Sequence, residues 1–167
     1  MFIPLYLFIL IELTFVSIGD FKTRKISNWW SILNISFFIL LLFIFPEEFP
    51  FSWNTLIYSG SFLLMGFILF AVKVMGGGDA KFLATFILLI PEKLHLLFFE
   101  SLFSSTIVFA GFFTLKNIMK NRKDIAAYMR SFYFKGVKSF FGTKFAYAPV
   151  ILLAWVLIGI DFFNLLK

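Results

Sequence analysis

The chain has 167 residues, of which 61% are hydrophobic, 22% aromatic and 14% charged, with a net charge of +6. Its 28 phenylalanines are more apolar surface than a soluble domain of this size can hide. The absence of cysteine excludes disulfides, zinc knuckles, iron–sulfur clusters and thiol nucleophiles, and a single histidine, His95, speaks against a His-based metal site or a Ser-His-Asp triad.

A membrane-spanning helix needs about 20 apolar residues. Six segments approach that, in chain order Phe2–Ile18, Trp29–Phe45, Trp53–Val74, Ala80–Ile90, Leu94–Leu115 and Phe145–Phe163. The expectation is an all-α, polytopic membrane protein with six transmembrane helices and a single domain over residues 1–167. The first segment has no basic stretch before it and no small-residue cleavage site after it, unlike a signal peptide. The fourth is too short. At 1.5 Å per residue it covers about 16 Å of a hydrocarbon core about 30 Å thick. Either the bilayer thins there, or this helix starts inside the membrane and the glycines before it lead in.

Charge orients the segments. With alternating crossings, thirteen of the 15 Lys and Arg fall on one side: Lys22, Arg24, Lys25, Lys73, Lys81 and every basic residue from Lys116 to Lys144. Lys93 and Lys167 fall on the other, beside Glu47, Glu48, Glu92 and Asp161. This positive-inside bias predicts that both termini are non-cytoplasmic, and it accounts for the net charge without nucleic acid. Trp29, Trp30 and Trp53 stand where interfacial aromatic belts are expected. The stretch from Lys116 to Lys144 mixes basic with aromatic residues and reads as a cytoplasmic loop lying on the anionic leaflet. No internal repeat and no second domain is evident.

The polar residues inside these segments carry the chemistry. Gly76-Gly77-Gly78-Asp79-Ala80-Lys81 puts a carboxylate behind three glycines at the mouth of an apolar run, an arrangement that is expensive in lipid and needs a compensating reason. Asp20 ends the first segment on the same predicted face as Asp79. Two carboxylates that approach closely do not both ionise easily, so one serves as general base and the other as general acid. Such a pair activates water for attack on a peptide carbonyl without a metal. Each aspartate also has an ordinary reading as an interfacial acid facing Lys22 or Arg24, or Lys81. Glu12, two turns before Asp20, shares its side of a helix. Glu12 and Glu100 are expected to be structural. His95 is expected at the outer interface, far from the aspartates, and Asn28 is expected to cap the second helix.

The segment Gly76-Gly77-Gly78-Asp79-Ala80-Lys81-Phe82-Leu83-Ala84 resembles the GxGD motif of type IV prepilin peptidases and preflagellin peptidases. Asp20-Phe21-Lys22-Thr23-Arg24-Lys25-Ile26-Ser27-Asn28 resembles that family's first motif, with Ser27 where the family usually has proline. Phe145-Ala146-Tyr147-Ala148-Pro149 is similar to its Pro-Tyr/Phe-Gly-Pro stretch entering the last helix, with only the second proline kept. The resemblance implies that Asp20 and Asp79 are a catalytic pair, supported by Gly76, Gly77, Gly78, Lys81, Ile26 and Asn28, with no metal and no cofactor. The implied substrate is a prepilin-like protein, from a pilus, tight-adherence or flagellin-like system, whose short basic leader is cut off at the cytoplasmic face of the inner membrane. Lacking the paired CxxC motifs of larger relatives, the chain resembles the short form that cleaves without methylating. Presenilin-type proteases share the GxGD string but place their first aspartate inside a helix, whereas Asp20 is expected to head a loop. Rival readings are a non-catalytic membrane assembly subunit, and a proton or cation pathway through Glu12, Glu100 and the two aspartates. Partners other than substrate and lipid are not indicated, and a homo-oligomer is left open.

Overall fold

A computed structural model describes residues 3–71, 75–120 and 146–165. Most of the basic loop, with Lys73 and Lys167, lies outside them. Among the described residues the chain is all-α, with six α-helices: α1 (Ile3–Thr23), α2 (Asn28–Ile44), α3 (Trp53–Ala71), α4 (Gly77–Phe86), α5 (His95–Lys120) and α6 (Ala148–Leu165). Two 3₁₀ turns, Ile87–Leu89 and Glu92–Leu94, join α4 to α5. The described part of the expected basic loop, residues 116–120, instead continues α5.

The short helix α4 is the centre of the bundle. Asp79, Ala80, Phe82, Leu83, Ala84 and Phe86 are all buried, and so is the turn Ile87–Leu89 that follows. Only Lys81 of α4 is exposed, and neighbouring helices cover the apolar residues of the rest. α3 covers one side so closely that a Cβ on Gly66 would lie 2.6 Å from the Ala80 Cβ, and the Ser59 hydroxyl donates to the Ala84 carbonyl at 2.7 Å. α2 packs on another side through Ser31, Asn34, Phe38 and Leu41. Trp155 of α6 closes the core. It is fully buried, meets Phe86 edge-on at 5.8 Å, stacks on Tyr6 of α1 at 5.4 Å, and donates from Nε1 to the Tyr6 carbonyl at 3.3 Å. Phe98 of α5 packs on Phe86 at 5.5 Å. The buried apolar side chains of all six helices form one cluster.

The outside is as apolar as the inside. Phe15, Phe43, Trp53, Leu64, Phe67, Phe103 and Phe112 are exposed along the helices, and contiguous patches of that extent do not face water on a monomeric soluble protein. Ile3–Thr23 and Glu92–Lys120 are long and apolar enough to cross a membrane.

Three local expectations are corrected. Asp20 does not head a loop: α1 runs on through Thr23 and stops where Arg24 adopts a left-handed backbone (φ 51°), its N–H returning to the Asp20 carbonyl at 2.8 Å. That is a helix-ending cap, made here without glycine. The cap of α2 is Ser27, whose hydroxyl accepts from the Trp29 N–H at 3.3 Å, so Asn28 is the first helical residue and not the cap. Glu100 is exposed on α5, and no hydrogen bond joins it to a neighbouring helix among the described residues.

Candidate active site

The acid Asp79 sits in the first turn of α4, where unpaired backbone N–H groups and the helix dipole favour a negative charge. Its Oδ2 accepts from the Gly76 N–H at 3.1 Å, and the residue is 6% exposed. The glycines before it are not there for a left-handed backbone, since none of the described glycines has positive φ. Their reason is space, and it differs along the run. A Cβ on Gly78 would lie 2.5 Å from the Ile26 carbonyl oxygen. One on Gly76 would press the Asp79 carboxylate at 3.1–3.4 Å, and one on Gly77 would make ordinary contact with the Phe70 ring at 3.6 Å. Gly78 therefore lets the stretch after α1 cross directly over the start of α4.

That crossing brings the two acid-bearing segments together. A cavity of about 590 Å³ is lined on one side by Arg24, Lys25, Ser27 and Asn28, and on the other by Gly77 and Asp79. Ile26 is buried beneath it, while Asn28 is exposed on its rim. Lys81 points away, exposed beside α3, where it lines a second, apolar groove of about 680 Å³ with Leu63, Leu64 and Phe67. The groove and the cavity share Phe70, Gly77 and Gly78.

Asp20 is buried deeper, at 2% exposure, and does not line the cavity. Its Oδ2 accepts from the N–H of Ala148 at 3.0 Å, the first residue of α6, across 128 positions of sequence. Like Asp79, it thus occupies a helix N-terminus, where free N–H donors favour an anion. Arg24 is within electrostatic reach of it. Tyr147 lies near both acids: its backbone is beside Asp20, and its phenol is within electrostatic reach of Asp79 and pairs with Thr106 at 3.2 Å. Thr106 also donates to the Leu102 carbonyl at 2.7 Å, so its one proton is used there and Tyr147 is the donor in their pair.

Sequence reasoning singled out both aspartates and placed Phe145–Pro149 at the entry to the last helix, but gave that helix start no part in holding Asp20. The signal for it was Pro149. A proline in the first turn marks a helix start, and a helix start is a ready anion site. Among the described residues, no acid other than Asp79 lines its cavity. Glu12 shares the buried face of α1 with Asp20. Glu47, Glu48 and Glu92 line a separate cavity of about 620 Å³ with Lys93 and Leu94, and Glu92 accepts there from Ser52 and Asn54 at 3.0 and 2.9 Å. His95 is buried at the start of α5. Its Nε2 donates to the Ile90 carbonyl at 2.8 Å, at the end of the Ile87–Ile90 segment remote from Asp79.

Among known proteins, the model of the type IV leader peptidase family matches residues 7–115, a span that holds both aspartates. No curated protein and no solved structure matches the chain.

Proposed function

The chain belongs to the type IV leader peptidase family, and with it to the proteases, and from that premise we propose that it is an aspartic endopeptidase using Asp20 and Asp79 as its catalytic pair. One carboxylate takes a proton from water, and the resulting hydroxide attacks the scissile carbonyl. The other, protonated, donates to the carbonyl oxygen. The tetrahedral intermediate then collapses as a proton passes to the leaving nitrogen, leaving a carboxylate on the leader and a new amine on the mature protein. The observation that carries this reading is that each buried aspartate is held at a helix N-terminus, Asp20 by Ala148 and Asp79 by Gly76, with Asp79 lining a cavity built from both motif segments.

The substrate is a prepilin-like precursor with a short basic leader and an apolar helix, held at the cytoplasmic face of the inner membrane. The apolar groove that shares three lining residues with the Asp79 cavity supports an apolar substrate segment. Residues 1–167 act as one membrane-embedded domain with six spans and both termini non-cytoplasmic, which the charge bias of the loops supports. With no cysteine for a methyltransferase region, cleavage proceeds without methylation. An acid relay across the bilayer is disfavoured because Glu100 faces outward.

The test is co-expression of a prepilin-like substrate with the wild-type chain, Asp20→Asn and Asp79→Asn. Leader removal by the wild type alone is the expected result. Cleavage that survives in either variant would sink the pair.

A further inference from the structure

Arg24 is the one non-glycine among the described residues whose backbone is left-handed, at φ 51°. A glycine there would end α1 without strain, and glycine is what helix ends of this kind usually carry. A side chain kept where the backbone disfavours it points to a role for the side chain. The turn is fixed from both sides. The Arg24 N–H bonds to the Asp20 carbonyl at 2.8 Å, and the Thr23 hydroxyl lies 3.0 Å from both the Gly19 and the Lys25 carbonyls, bracketing Arg24. Two residues on, Ile26 is buried, with its carbonyl over Gly78.

Arg24 lines the cavity that Asp79 lines, and it lies within electrostatic reach of Asp20, which does not line that cavity. A need for positive charge at this membrane face does not explain the residue. Lys22 and Lys25 flank it and supply such charge from backbone that is not left-handed. Arginine differs from lysine in its permanent charge and its fixed fork of several donors. A guanidinium can therefore meet the Asp20 carboxylate and still present N–H groups to the cavity.

We propose that Arg24 is a positioning residue for the hydrolysis, its guanidinium tying the Asp20 carboxylate to the cavity that Asp79 lines, and that the left-handed turn at the end of α1 serves to place it. This rests on the reading of Asp20 as one of the catalytic pair. Asp20 is then held from two directions, by the Ala148 N–H on the α6 side and by Arg24 on the cavity side. Without the cation it is held from α6 alone.

The test reads cleavage of a prepilin-like substrate and thermal unfolding in the same variants. Arg24→Gly and Arg24→Gln both lack the guanidinium, and each is expected to lower kcat about tenfold to a hundredfold at unchanged KM, with Arg24→Lys recovering much of the loss through its charge. Arg24→Gly is expected to melt above Arg24→Gln, because glycine relieves the left-handed backbone. Activity then follows the charge while stability follows the backbone, a split that a purely structural arginine would not give. Lys22→Gln removes the same charge two residues away, outside the cavity, and is expected to cleave like the wild type. Wild-type cleavage by Arg24→Gly, or an equal loss in Lys22→Gln, overturns the proposal. Unfolding adds a reading that needs no cleavage. Arg24→Gln is expected to lower the melting temperature of the wild type and to leave that of Asp20→Asn unchanged; equal lowering in both overturns the contact. Cleavage retained by Asp20→Asn would overturn the catalytic pair instead, and unfolding alone then decides whether Arg24 holds Asp20.

Discussion

At the residue scale, the three glycines before Asp79 carry unequal loads. Gly78→Ala drives a Cβ into the Ile26 backbone, which cannot rotate away. We expect a loss of about 1–3 kcal/mol, typical of overpacking, and a comparable fall in cleavage because Asp79 is the next residue. Gly77→Ala meets only the Phe70 ring and is expected to leave the melting temperature in detergent unchanged or slightly raised, since alanine favours helix over glycine. Equal damage from both would refute the steric reading. The sequence pointed to Asp79 and its glycines by their oddity. It did not distinguish Gly78 from Gly77, because that difference depends on what passes overhead, and Ile26 is remote in sequence. Nor did it see that Ser27, the departure from the family's proline, has φ −68°, the backbone angle a proline would impose, and caps α2 itself.

At the element scale, the start of α6 is what holds Asp20. Ala148→Pro tests this cleanly, because proline is well accommodated at the first position of a helix while the N–H given to Asp20 is removed. Helix content by circular dichroism should be preserved. A hydrogen bond to a charged group is worth about 1.5–3 kcal/mol, so cleavage should fall about tenfold to a hundredfold. Full activity in this variant would remove α6 from the site. Between α3 and α4, Gly66→Ala is expected to cost about 1–3 kcal/mol by pushing against Ala80, read by thermal unfolding. Apolar runs made the existence of these helices plain from sequence. Where α1 ends was less legible: the basic residues after Gly19 look like a loop, but a left-handed Arg24 lets the helix run on through Thr23. The helical position of Asp20 also removes the distinction drawn from presenilin-type proteases on that ground.

At the scale of the whole molecule, one tryptophan of α6 ties the central helix α4 to α1. Trp155→Ala would empty a fully enclosed site between Tyr6 and Phe86 and should cost about 3–5 kcal/mol, visible as loss of folded protein extracted in mild detergent. The all-helical class, the apolar character of both faces, the pair of acid-bearing motifs and the family were determined by the amino-acid sequence alone, because composition and short local strings carry them. The tertiary structure decided the rest: that the short fourth segment is the enclosed core, that Asp20 is held by a helix start 128 positions away, and that Ile26 lies over Gly78. The physical reason is that helices apolar on every side carry little periodic signal of which face turns inward. Their partners are chosen by shape, through close approaches such as Gly66 on Ala80, and by the few buried N–H groups that an acid can satisfy.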